Sequence, residues 1–139
     1  MAEAVGEPTP SIVPVTRGAE SCHPLARIHE MDPASVVGEA VEHEHVFHVG
    51  ASTTGEMVAG VWSCSPCTER IDEQPCEEFC QILEGTVVLT AADGTAHEFG
   101  PGDGFVIPKG WTGTWHMPVP VRKTYVILVP ETDSTAGAA

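Results

Sequence analysis

The stretch EFCQILEGTVVLTAADGTAHEFGPGDGFVIPKG, residues 78–110, decides the fold. Its apolar residues come in short runs rich in Val, Ile, Phe and Thr: Glu77 to Leu83, Thr86 to Ala91, Ala96 to Phe99 and Phe105 to Ile107. Between them stand Glu84-Gly85 and Asp93-Gly94, which are tight-turn dipeptides, and Gly100-Pro101-Gly102-Asp103, which must bend and cannot continue a ladder. At least two hairpins follow. Outward from this stretch the cadence repeats, at His45 to Val49 and Glu56 to Ser63 on one side and at Gly113 to Met117 and Arg122 to Val129 on the other. No segment from 45 to 129 carries ten residues of helical periodicity with caps, and no repeat of fixed period is present. The pattern predicts an all-β sandwich or barrel, with any helix confined to the N-terminal arm.

A chain of 139 residues suits one domain with one core. We divide it into an irregular arm over 1–40, a single barrel over 41–130 and a flexible tail over 131–139, from the scattered prolines at the start and the small polar residues at the end. Six Lys and Arg against 20 Asp and Glu give a formal charge of -14. That balance repels phosphate backbones and anionic lipid, so neither nucleic acid nor a membrane is expected as a partner. The opening MAEAVGEPTP has no basic and apolar leader pattern, and five cysteines are an odd number for a disulfide framework. A reducing cytoplasm is the expected location.

Glu78 followed after six residues by Gly85, then Gly102, five residues, Pro108, one residue and Gly110, resembles the two motifs of the cupin superfamily. From about Gly60 to Val129 the chain is similar to the small single-domain cupins grouped with (S)-ureidoglycine aminohydrolase. The resemblance implies a double-stranded β-helix, a jelly-roll barrel. It also implies where a metal would sit: a His-x-His pair before the motif glutamate and a third His after the last motif glycine. Here those places hold Asp72 and Gln74 (or Ile71 and Glu73) and Gly113. The usual cupin metal site is therefore expected to be lost or rebuilt. A rebuilt set of Asp72, Gln74 and Glu78 offers oxygen donors suited to Mn or Mg, and the bland reading of the same residues is a solvated acidic loop around Pro75. The expected cofactor is none or unknown, with Mn, Fe or Zn as the metals to test.

By strand alternation Glu78 shares a face with Cys80 and Ile82, and the resemblance puts that face inside the barrel. A carboxylate there must be paired, protonated or coordinated, and desolvation predicts a carboxyl titrating above its ordinary value. Trp62, Trp111, Trp115 and Tyr125 are read as pocket residues, with the plain alternative that they fill the core. An indole-walled pocket with a thiol and a carboxylate suits a small, partly apolar or cationic ligand. Three functions follow. One is an enzyme acting on a small nitrogenous or carboxylated metabolite, with Glu78 as general acid or base. Another is a non-catalytic ligand-binding or accessory cupin. The third is a thiol-based zinc or redox protein using Cys64, Cys67, Cys76 and Cys80, whose spacing lies within the loose range of a four-thiolate site.

Two further features have no assigned role. His43 and His45 lie on one face of an extended strand and His48 on the other, so a single three-His site needs a bulge. The arm carries Ser11-Ile12-Val13-Pro14-Val15, apolar enough to cross onto a second copy, and a homodimer is expected.

Overall fold

The computed structural model describes residues 10–16, 31–52 and 54–130. Ten strands run through it: β1 (Val36–Gly38), β2 (Glu42–Ser52), β3 (Gly55–Cys64), β4 (Cys67–Ile71), β5 (Glu77–Glu84), β6 (Val87–Ala91), β7 (Ala96–Phe99), β8 (Gly104–Ile107), β9 (Gly113–Met117) and β10 (Val121–Pro130). They form two five-stranded antiparallel sheets, ordered β1-β4-β9-β6-β7 and β2-β3-β10-β5-β8, with crossovers between them. This is the all-β jelly roll that the motif spacing implied. The only helical turn among the described residues is the 3-10 segment Pro33–Ser35, capped by the Asp32 carboxylate on the Ala34 amide. No described helix is long and apolar enough to cross a membrane.

The core lies between the inner faces. Ile82, Val87, Val58 and Met117 are sealed there with Trp115, Tyr125 and Ile127 around them. β10 shows how the sequence builds it: Val121, Lys123, Tyr125 and Ile127 alternate inward while Arg122, Thr124, Val126 and Leu128 alternate outward. Gly85 follows β5 with φ of 87°, and a Cβ there would meet the Pro120 carbonyl oxygen at 2.1 Å, so both its conformation and its closeness to that backbone require glycine.

Two strands are not visible in the apolar cadence. Cys67–Ile71, CTERI, reads as polar, yet β9 and β1 flank it and tertiary pairing supplies its ladder. Val36–Gly38 falls in the stretch read as an arm and pairs with β4. The flexible tail expected over 131–139 lies outside the described residues, as does the arm at 1–9 and 17–30.

Candidate functional site

The inner faces enclose a cavity of about 450 Å³. Its floor is built on β5 and β10, whose pairing brings Cys80 opposite Tyr125 and Ile82 opposite Lys123. The Lys123 ammonium donates to Glu78 Oε2 at 2.8 Å and stands 3.6 Å from Cys80 Sγ. It also lies over two indoles, 4.8 Å from the Trp62 ring centre and 4.4 Å from that of Trp115. The Gln74 amide donates to Glu78 Oε1 at 3.1 Å, and the Cys80 thiol to Oε2 at 3.3 Å. The Glu78 side chain is 14% exposed and accepts from three groups.

This network overturns the expected direction of the Glu78 titration. Burial raises its pKa, but the adjacent Lys123 ammonium and the hydrogen bonds from Lys123, Cys80 and Gln74 outweigh that and hold the carboxyl below its ordinary value. Lys123 moves the other way: burial alone would lower it, and the partners Cys80 and Glu78 raise it above the usual lysine range. The pair is charged at neutral pH. Burial also pushes the Cys80 thiol up, so it stays protonated and serves as a donor.

The upper wall is a second carboxylate system. Trp62 Nε1 donates to Glu42 Oε1 at 2.9 Å and the Met31 amide donates to Oε2 at 3.0 Å, which ties the rim to β2. Tyr125 donates its hydroxyl to Glu44 Oε2. Burial, followed by this bond to Glu44, raises the Tyr125 pKa. Asp32, Glu69 and Asp72 complete the charged lining, so the described wall carries six carboxylates and one ammonium.

Of the residues singled out from the sequence, Glu78, Trp62, Trp115 and Tyr125 line the cavity, as do Asp72, Gln74 and Cys76. Cys80 is fully buried behind Glu78 rather than on the surface of the cavity. Trp111 is elsewhere: it lines a smaller pocket of about 240 Å³ with His97, Phe99 and Phe105. Its ring also covers Gly113, where a Cβ would approach the indole to 2.5 Å and the Thr90 carbonyl to 2.3 Å. That position has no room for a histidine or any other donor.

The rebuilt oxygen set is not assembled as a cage either. Asp72 pairs with exposed Arg70 at 3.1 Å, and Gln74 turns its amide N–H, not its oxygen, to Glu78. Beside Glu78 the cation is Lys123. The residues present do not fit the three-imidazole metal centre of the superfamily. Cys64 and Cys67 hydrogen-bond to each other, with burial pushing Cys64 up to about 12, while Cys76 sits at the cavity and Cys80 at the floor. The four thiols do not form one site, and none of the four is in a disulfide. On β2 the register shifts between Val46 and His48, which places His48 opposite Ala59, the same face as His43 and His45 opposite Ser63 and Val61. The bulge exists, yet among the described residues no group of three His, Cys, Asp or Glu is arranged to hold a metal ion.

Sequence reasoning missed Lys123, Glu42 and Glu44. The signal was parity: Lys123 alternates with Val121 and Tyr125, and Glu42 and Glu44 alternate with the histidines that drew attention away from them.

The profile of the EutQ-like cupin domain family matches residues 51–125. No curated protein matches the chain. Among solved structures the chain is similar to a putative ethanolamine utilization protein Q from Salmonella typhimurium LT2, at 23% identity and a TM-score of 0.54 over 63% of this chain and 69% of that one. It is similar to the EutQ protein of Clostridium difficile, at 18% identity and 0.54 over 68% and 67%. A protein of unknown function from Pseudomonas syringae pv. tomato aligns at 22% identity and 0.68, over 81% of this chain and 46% of that one. These likenesses concern the fold, and with a profile match over more than half its length the chain belongs to the EutQ-like cupin domain family.

Proposed function

We propose that the barrel binds a small nitrogenous metabolite carrying a positive charge. The observation that carries this reading is the cavity wall, with six carboxylates and one ammonium beside Trp62, Trp115 and Tyr125. The one cation is engaged by Glu78 and two indoles, so the described floor is neutralised internally and the remaining charge of the wall is anionic. Anionic oxygens and aromatic faces recognise an organic ammonium, and water exclusion strengthens both contacts. The resemblance to the ureidoglycine aminohydrolase group supports the same nitrogenous class. Glu78, charged and held by three donors, serves here as an anchor of the floor rather than as the general acid or base.

One observation favours a catalytic version of this reading. Tyr125 donates its hydroxyl to the buried Glu44 carboxylate inside the same cavity, and a phenol paired with a carboxylate is a proton-transfer couple. Turnover, where it occurs, would run through Glu44 and Tyr125.

Tryptophan fluorescence and thermal shift with 2-aminoethanol, butylamine, 1,4-diaminobutane and butyrate test the proposal. The amines should bind and butyrate should not, and Glu44→Gln should weaken amine binding by about tenfold or more. Binding of butyrate without binding of any amine would overturn it.

A further inference from the structure

Cys64 closes β3 and Cys67 opens β4, so the two-residue link Ser65-Pro66 carries the chain from one sheet to the other. Two more crossovers run beside it. Cys64 stands opposite Glu42 and Val121, and Cys67 opposite Gly38 and Met117, so the links 39–41 and 118–120 flank it on either side. Ser65 fastens the first of these. Its hydroxyl donates to the Glu39 carbonyl at 2.7 Å and accepts from the Val41 amide at 2.8 Å, and its own amide donates to the Val41 carbonyl at 3.1 Å. Pro66 has a fixed φ. The two ends of the link are thereby held in place.

Both side chains at those ends turn inward. Cys64 is 3% exposed and Cys67 6%, and the two thiols hydrogen-bond to each other. Cys80 donates to Glu78 instead, and Cys76 lines the cavity. Side chains that converge in this way meet the geometric condition for a bridge, which diverging Cβ vectors fail. Pro66 above them is exposed, so the pair lies one residue beneath the surface.

We propose that Cys64 and Cys67 are an oxidisable pair that a hydroperoxide closes to a disulfide, fastening the corner at which the two sheets cross over. Burial raises the pKa of both thiols, and the hydrogen bond between them adds to the rise at Cys64 and opposes it at Cys67. Cys67 is therefore the sulfur that attacks as thiolate. It bonds to one peroxide oxygen, the O–O bond breaks, and Cys67 becomes a sulfenic acid as a first water leaves. The Cys64 sulfur then attacks the Cys67 sulfur and the S–O bond breaks. The S–S bond forms, and the departing hydroxyl takes the Cys64 proton to leave as a second water. Two thiols lose two electrons, and one peroxide becomes two waters. A dithiol reverses the closure by exchange. In a reducing compartment such a bridge is transient and reports an oxidant. Neither cysteine lines the cavity, so the switch does not depend on what the cavity binds.

The test treats the unaltered full chain with a small excess of hydrogen peroxide, denatures it, labels the remaining thiols with N-ethylmaleimide and weighs it. The chain has five cysteines, so the labels should fall from five to three, and dithiothreitol should restore all five. The peptide holding both Cys64 and Cys67 should be the unlabelled one, two hydrogens lighter than its dithiol form. Cys64→Ser and Cys67→Ser should each block this paired loss, and Cys76→Ser should keep it. The oxidised chain should melt roughly 5 °C above the reduced one, a gain that Cys64→Ser abolishes. Five labels retained after peroxide overturn the proposal. So does a loss that dithiothreitol does not restore, or a bridge that joins either cysteine to Cys22, Cys76 or Cys80. The peptide map is read on the unaltered chain, so it decides the matter even where a variant fails to fold.

Discussion

The two sheets of the barrel partition their side chains differently. In β1-β4-β9-β6-β7 the inward residues include Cys67, Val87, Leu89, Trp115 and Met117, all buried, with Glu69 opposite Trp115 as the charged exception at the cavity, and the outward ones include Thr68, Arg70, Thr90, Thr114 and Glu98. In β2-β3-β10-β5-β8 the centre is inverted: Glu42, Glu44, Glu78 and Lys123 face in, while Phe79, Val106, Val126 and Leu128 face out. Burying charge costs stability unless each group is paired, and exposing apolar area forfeits burial. The first sheet supplies much of the apolar core, and the second supplies most of the charged wall of the cavity.

The strongest way to break this contrast is to remove the cation from the inverted face. Lys123→Met leaves Glu78 buried without its main partner and should lower unfolding stability by about 3 to 5 kcal/mol in urea titration. Glu78→Gln strands the ammonium and should cost a similar amount. The double variant should recover much of either loss, because the two residues share one interaction. If both single variants kept the stability of the unaltered chain, the pair would not be holding the floor.

The same pair sets a pH window. Glu78 has a depressed pKa, so its stabilisation is present above the ordinary value of 4.5 and is lost as pH falls through the lower folded value. Lys123 has a raised pKa, so its stabilisation is full below the ordinary value of 10.5 and is lost as pH rises through the higher folded value. Stability should therefore be flat with respect to this pair between those values, and Glu78→Gln should remove the part of the acid decline that the pair contributes. An acid limb unchanged in that variant would assign the decline to other carboxylates.

The turns and most strands were legible because their signals are local, and the two strands that were not, β1 and β4, both lie in the first sheet, where tertiary pairing supplies the ladder. Gly85 and Gly102 adopt the positive φ that their turn dipeptides require, and the run from Ala96 to Phe99 is a strand with the same bounds. Glu78 was placed correctly by alternation, but its titration was not, because the deciding ammonium lies 45 residues away on β10. Period-two parity tells which way Lys123 points and nothing about what stands opposite it across a barrel. Trp111 fails for a related reason. Read as a cavity wall from its place beside Trp115, it belongs to the turn before β9 and covers Gly113 instead. In the EHEHVFH segment the histidines were conspicuous, yet the bulge keeps them on the outer face and the intervening glutamates do the inward work.

The smallest expected effect lies where the two sheets are joined, in the loop Asp72–Cys76 between β4 and β5. Glu73 there has φ of 54°, the one non-glycine residue in the left-handed region among those described. Its strain turns the loop so that Gln74 is buried and reaches Glu78. Backbone bonds from Gln74 N to Trp111 O at 2.8 Å and from Gly110 N to Gln74 O at 2.7 Å hold that turn in place. Left-handed backbone costs an L-residue about 1 to 2 kcal/mol, and glycine avoids this while gaining freedom in the unfolded chain. Glu73→Gly should therefore raise stability by up to about 1 kcal/mol and leave the acid limb of the Glu78–Lys123 pair unchanged. Gln74→Ala should lower stability and shift that limb upward in pH, since Glu78 loses one of the donors that favour its charged form. A Glu73→Gly variant that shifted the limb as Gln74→Ala does would show that the side chain of Glu73, and not only its backbone, supports the inverted face.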